Sequence, residues 1–304
     1  MTSLACIIRP STPPSRIIPL ARAVEAAGID EVWLWEDCFQ TGGISTAAAI
    51  LSATERVRVG IGVLPTPLRN VALTAMEIAT VDGMFPGRLI PGIGHGVQPW
   101  MAQVGAKAAS PLTLMREYSG ALRALLAGER VTASGRYVSL DDVALDWPPA
   151  RPVPVPVAAT GPRSLHLAGE VGDGVVLEGS VGLPGLPAVL ERLAEGRTTA
   201  GRDGASFPVI QFVPGGTGPD AVARLRAELT AWGTDVADDT ALAQYALWGD
   251  AQALADGVRR YGAAGVDTVA LQPTEDDPDL ERLVSVVGAA QELLRTVYGV
   301  FRKP

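Results

Sequence analysis

Short apolar runs separated by amphipathic stretches set the rhythm of this chain. Leu4–Ile8 has the unbroken apolar character of a strand buried on both faces. Pro13-Pro14-Ser15 breaks the run and opens a helix with Leu20, Ala23, Val24 and Ala27 on one side, stopped by Gly28. Val32-Trp33-Leu34-Trp35 predicts a second strand, an alanine-rich helix follows over Ser45–Thr54, and Val57–Val63 predicts a third strand. A helix over Val71–Met84 then turns at Pro86-Gly87 into an apolar run beginning at Leu89-Ile90. Strand therefore alternates with helix four times in roughly the first 95 residues, a rhythm that builds a parallel sheet with right-handed crossovers.

The second half keeps the rhythm. Pro111 at a first helical position opens a helix over Leu112–Ala127. The stretch 128–150 is less regular, and Gly135–Leu140 reads as a short hairpin or surface excursion. Alternating Pro152, Pro154 and Pro156 restrict a fifth strand to the neighbourhood of Val155–Ala159, because proline is poor inside a central strand. Gly174–Leu177, Val209–Val213 and Thr268–Leu271 complete eight strands, with helices predicted over 250–264 and Asp279–Thr296. Eight strands separated by helices, in a chain of 304 residues, predict an α/β fold of the (β/α)8 TIM-barrel type. The expectation is one barrel over 1–304 with a surface insertion after the fourth helix. In such a barrel ligands meet the carboxyl ends of the strands, which makes Arg9, Asp37-Cys38, Leu64-Pro65, Gly94-His95-Gly96, Thr160-Gly161, Glu178-Gly179 and Gln272 the candidates.

Composition narrows the function. A net charge of −8 argues against binding nucleic acid, which needs a basic surface for phosphates. No apolar run approaches the roughly 20 residues of a membrane helix, and the N-terminus lacks a signal-peptide pattern. Two cysteines suit a reducing compartment, so a cytoplasmic protein is expected. Two histidines and two cysteines far apart predict no metal site.

The chemistry-bearing stretches lie at strand ends. Gly92-Ile93-Gly94-His95-Gly96 brings bare backbone and an imidazole to the end of the fourth strand. It breaks the Gly-x-Gly-x-x-Gly dinucleotide pattern at Val97. Ala158-Ala159-Thr160-Gly161-Pro162-Arg163-Ser164 leaves a strand and enters a helix, a turn suited to phosphate or to a cap that binds nothing. No Gly-x-Ser-x-Gly nucleophile elbow is present. Glu36 and Asp37 are neighbours on a strand, so one of them faces the mouth. Cys38 reads as a nucleophile or as a small space-filling side chain, and His166 reads as structural.

Four segments in this order resemble the luciferase-like monooxygenase superfamily of flavin and deazaflavin oxidoreductases. They are Val32–Phe39, Val59-Gly60-Ile61-Gly62-Val63, Phe85–Leu89 leading into Gly92–Gly96, and Ala158–Pro162 with Leu167-Ala168-Gly169 and Asp173-Gly174. The branch most similar uses coenzyme F420, as in methylenetetrahydromethanopterin reductase. The resemblance implies a cofactor ring at the strand ends and a non-proline cis peptide at Gly62–Val63. It also implies ring or tail contacts from Cys38, Gly62, Val63, Leu64, Gly94, His95, Gly96, Ala159, Thr160, Gly161, Pro162 and Arg163. Relatives often read Ser-Asp-His where this chain reads Glu36-Asp37-Cys38, and some carry Glu in place of His95. The acid/base role is therefore expected at His95 or Asp37. A small-molecule substrate and a homodimer are implied as well. FMN with oxygen is the alternative to F420, and a non-catalytic cofactor-binding barrel or partner subunit is the alternative of another class.

Overall fold

The computed structural model describes residues 2–299, and side chains through 296. Its strands are β1 (Ser3–Ile7), β2 (Glu31–Leu34), β3 (Arg58–Pro65), β4 (Leu89–Gly94), a hairpin of β5 (Val131–Ser134) and β6 (Ser139–Val143), β7 (Val157–Ala158), β8 (Val175–Leu177), β9 (Val209–Gly216), β10 (Leu247–Trp248) and β11 (Thr268–Pro273). The helices are α1 (Pro14–Ala26), α2 (Gly43–Ala53), α3 (Val71–Met84), α4 (Gln98–Gln103), α5 (Pro111–Leu126), α6 (Pro162–Val171), α7 (Gly182–Thr199), α8 (Ala221–Ala231), α9 (Asp239–Leu242), α10 (Ala251–Ala263) and α11 (Leu280–Gly299).

The sheet runs β9-β11-β1-β2-β3-β4-β7-β8, and β8 pairs back to β9. Eight parallel strands thus close into the predicted (β/α)8 barrel, with β10 extending the sheet beside β9. The excursion after α5 is the antiparallel β5–β6 hairpin. The proline-limited fifth barrel strand, β7, is reduced to two residues. The short α4 and β10 have no apolar period long enough to announce them. Among the described residues no helix is long and apolar enough to cross a membrane.

Period-two alternation divides the strand side chains between two cores. Leu4, Cys6, Val32, Leu34, Val59, Ile61, Ile93, Val175, Val269 and Leu271 pack outward against the helices. Ala5, Ile7, Trp33, Val176, Ile210, Phe212 and Ala270 fill the barrel. Trp33 is fully buried, and its indole donates to Glu31 Oε2 at 3.0 Å. Its ring lies at 5.7 Å, edge-on, from Phe212.

Two aromatic rings in so narrow an interior demand glycine opposite them. A Cβ on Gly60 would overlap the Trp33 ring, and one on Gly62 would come within 2.7 Å of Phe212 Cζ. On the next strand a Gly92 Cβ would stand 2.5 Å from the Ile61 carbonyl oxygen, and a Gly94 Cβ would overlap Val63. The Val-Gly-Ile-Gly-Val run and the glycines of β4 are therefore fixed first by packing inside the barrel.

Candidate active site

Alternation along β2 carries past the strand's end: Glu31, Trp33, Trp35 and Asp37 share the inward side. Trp35 packs against the interior cluster, 5.9 Å from Phe212, and forms the aromatic floor of the mouth. Glu36 takes the opposite side. Its carboxylate pairs with Arg69, with Arg69 Nη2 donating to Oε1 at 2.7 Å, and accepts the Gly43 backbone N–H at 2.6 Å. Arg69 also reaches Glu77 at 3.3 Å. Glu36 thus ties the start of α2 to the β3–α3 loop, and Asp37 is left at the mouth.

Burial pushes the Asp37 carboxyl above its usual range; the Trp35 side chain and the Arg9 charge pull it down, and Glu275 pushes it further up. The Cys38 thiol is raised by burial and then by the Glu36 and Asp37 charges. A thiol raised in this way stays protonated at neutral pH and is a poor nucleophile. Between the two sequence readings of Cys38, the electrostatics favour the space-filling one.

The Gly62–Val63 peptide is cis, at the bond the resemblance indicated, and Cys38–Phe39 is a second cis peptide that no local signal indicated. Val63, Gly94 and Ala158 meet at the wall: the position of a Gly94 Cβ lies 3.5 Å from Val63 Cβ and 3.6 Å from Ala158 Cβ. Leu64, by contrast, is buried and packs outward in the helix-facing core, so its side chain stays away from the mouth. Ala159 is likewise buried there. Thr66 Oγ1 donates to the Gly94 carbonyl at 3.1 Å and fixes the end of β4. His95 follows at once. Its loop is pinned by Gln98 Nε2, which donates to the His95 and Gly96 carbonyls at 3.2 and 3.3 Å. Gly96 has φ +66°, which glycine adopts without strain.

Burial lowers the His95 pKa, and a hydrogen bond with the Pro111 backbone partly offsets this. His95 Nδ1 is buried with no hydrogen-bond partner among the described residues. His95 and Asp37 share no hydrogen bond among the described residues, so the structure places them as two separate groups. Met101 is fully buried beneath Gly96. Phe39 is 68% exposed.

Helix α6 starts at the mouth with Gly161 as its N-cap and no side-chain hydrogen bond there. Pro162 has no N–H, so the amides of Arg163 and Ser164 lead the helix, and Thr160, Pro162 and Arg163 are exposed. A Cβ on Gly161 would meet nothing within 4 Å. Farther along the helix, His166 Nδ1 pairs with Glu170 at 2.9 Å, a surface pair one turn apart. Glu228, on α8, and Glu275, after β11, also reach the mouth through Arg9; sequence reasoning missed both, since nothing local to either marks a site.

The profile of the luciferase-like monooxygenase family matches residues 2–233. The chain belongs to this family. A 5,10-methylenetetrahydromethanopterin reductase of Methanolobus tindarius is 32% identical over 203 residues, 67% of this chain and 62% of that protein. An F420-dependent glucose-6-phosphate dehydrogenase of Beutenbergia cavernae is 33% identical over 234 residues, 72% of this chain and 69% of that protein. The match to the first thus spans under two thirds of that protein's length. Among solved structures, an F420-dependent secondary alcohol dehydrogenase in complex with an F420-acetone adduct superposes with a TM-score of 0.85 at 23% identity, covering 97% of this chain and 99% of that one. At that identity the likeness concerns the barrel fold.

Proposed function

We propose that this chain is an oxidoreductase of the luciferase-like family that uses coenzyme F420 to move a hydride to or from a small organic substrate. The observation that carries the reading is Gly161. Gly62, Gly92 and Gly94 are glycine because the protein's own atoms fill the space, whereas Gly161 faces open space with an ordinary φ of −82°. An uncapped helix N-terminus behind bare backbone suits a phosphate group. The named relatives that use F420 supply the identity of the phosphate-bearing cofactor.

The residues present fit that group. Ala159, Thr160, Gly161, Pro162 and Arg163 would hold the tail phosphate through the backbone of this loop, the leading amides of α6 and the Arg163 charge. The main chain at Gly62–Val63–Leu64 and at Gly94–His95–Gly96 would back the ring, with Cys38 at its edge. Bound F420 supplies a deazaflavin ring that exchanges a hydride. The chain supplies the rest. Trp35 and Phe212 close the barrel beneath the mouth to water. The His95 imidazole, half-buried just past the end of β4, exchanges the proton that accompanies interconversion of an alcohol and a carbonyl. Asp37 is the second acid/base group, placed on the β1–β2 side. A homodimer belongs to the same reading; the outward side of α3 offers it Leu73, Met76 and Met84, each between 46% and 56% exposed.

Fluorescence titration with F420 and, separately, with FMN tests the proposal. F420 is expected to saturate the protein and FMN to bind far more weakly. Gly161→Val is expected to weaken F420 about tenfold, or about 1.4 kcal/mol, with an unchanged melting temperature. Tight FMN binding without any response to F420 would replace this reading with the oxygen-using one.

A further inference from the structure

We propose that the substrate side of this mouth admits neutral or cationic small molecules and turns away anions such as phosphorylated sugars and carboxylates. The inference rests on the F420 reading only for where the substrate sits; the selectivity comes from the chain's own charges.

Arg9 follows β1, its side chain 15% exposed. Nη1 donates to Glu228 Oε1 at 2.6 Å and to the Pro273 carbonyl at 2.8 Å, and Nη2 pairs with Glu275 Oε2 at 2.8 Å. The guanidinium stands 5.9 Å from the Trp35 ring, and Asp37 lies within reach of both the Arg9 and Glu275 charges. Glu228 Oε2 also accepts the Glu275 N–H at 2.8 Å, which holds the Glu228 carboxylate in place. Two carboxylates thus pair with one guanidinium, a formal charge of −1, and the Asp37 carboxyl stands nearby. An anion reaching for Arg9 finds both terminal nitrogens engaged and must approach fixed negative charge in a partly desolvated setting, which is a strong repulsive term.

The rest of this rim repeats the pattern. Arg224 faces Asp277 at 3.4 Å and Asp276 at 3.9 Å. Aromatic surface lies between these charges. Trp35 lies in the floor, and Trp232, 40% exposed, stands 3.1 Å from where a Gly179 Cβ would be. Such faces accept apolar bodies and cations alike. The opposite rim carries Arg163 and the N-terminus of α6. The mouth is therefore polarised, with its anion-binding end on the cofactor's tail side and its carboxylates on the other.

Collisional quenching of Trp35 reads this field without cofactor or turnover. The Trp35 signal is taken as wild type minus Trp35→Phe, and each quencher is scaled to free N-acetyltryptophanamide. Caesium is expected to outperform iodide by roughly threefold at low ionic strength, converging at high salt. Glu275→Gln, at a side chain 59% exposed, should narrow the ratio in the total tryptophan signal even if Trp35→Phe does not fold. Iodide matching or exceeding caesium overturns the proposal. With F420 bound, 1-aminopropan-2-ol and butan-2-ol are expected to compete for the mouth at least about fivefold better than lactate at low ionic strength; preference for lactate or glucose 6-phosphate also overturns it. If F420 fails to bind while caesium preference holds, the cofactor reading falls and the charge selectivity stands.

Discussion

Gly196→Ala is expected to lower the melting temperature by about 6 °C or more and to abolish F420 binding, although Gly196 lies on an outer helix. Helices α6 and α7 touch backbone to backbone. A Cβ on Gly196 would overlap the His166 carbonyl oxygen and stand 3.1 Å from the Glu170 nitrogen. From the other side, a Cβ on Gly169 would overlap the Leu193 carbonyl oxygen. No rotamer change relieves a clash with main chain, so the added methyl must push the helices apart. Overpacking of this kind costs about 3 kcal/mol, and at roughly 2–4 °C per kcal/mol for a domain of this size the shift is measurable. Helix α6 is only ten residues long and uncapped at its start, so displacement at the α7 contact is carried to the loop at Gly161. Gly120→Ala is the control: it lies on an exposed part of α5, where a Cβ meets nothing within 4 Å. It should be stabilising by about 0.5–1 kcal/mol through the usual helical preference for alanine. Thermal melts of both variants, with F420 titration of each, check the pair; a Gly196→Ala protein that melts and binds like wild type would mean that α6 is not held by this contact.

The barrel was legible because strands buried on both faces are unbroken apolar runs and their spacing leaves room for one helix each. Alternation was legible too, and it put Glu36 and Asp37 on opposite sides of the chain leaving β2. The glycines at 60, 62, 92 and 94 announced a close approach, but what approaches them is the protein itself: the Trp33 ring, Phe212, the Ile61 carbonyl and Val63. That distinction needs the closed barrel, since Phe212 and Gly62 are far apart in sequence. The Arg9 cluster was legible only as one arginine at a strand end. Its partners Glu228 and Glu275 come from α8 and from the loop after β11, and a helical glutamate facing a site carries no local mark that separates it from a solvated one.

His95→Ala is expected to cut kcat/KM by about a hundredfold or more, within the range of a general acid or base, while leaving F420 affinity within about threefold. Among the described residues the buried Nδ1 makes no hydrogen bond, so the pairing lost in the variant is limited to the contact with the Pro111 backbone. Burial is the larger influence on His95 and lowers its pKa below 6.5, which keeps the imidazole neutral at pH 7 and able to accept a proton. Turnover in the direction that releases a proton should therefore be flat near neutrality and fall as pH drops through that lowered pKa. The stability linkage has the same sign. The unfolded chain takes up the imidazole proton at a higher pH than the folded one. Between the lowered folded pKa and about 6.5 the unfolded state binds more protons, and stability declines as pH falls through that window. Both slopes should vanish in His95→Ala. Asp37 is raised from its usual value and titrates on the acid side as well, so the variant separates the two groups: an acid limb that survives in His95→Ala but disappears in Asp37→Asn would assign the proton to Asp37, and wild-type turnover in His95→Ala would remove the imidazole from the chemistry.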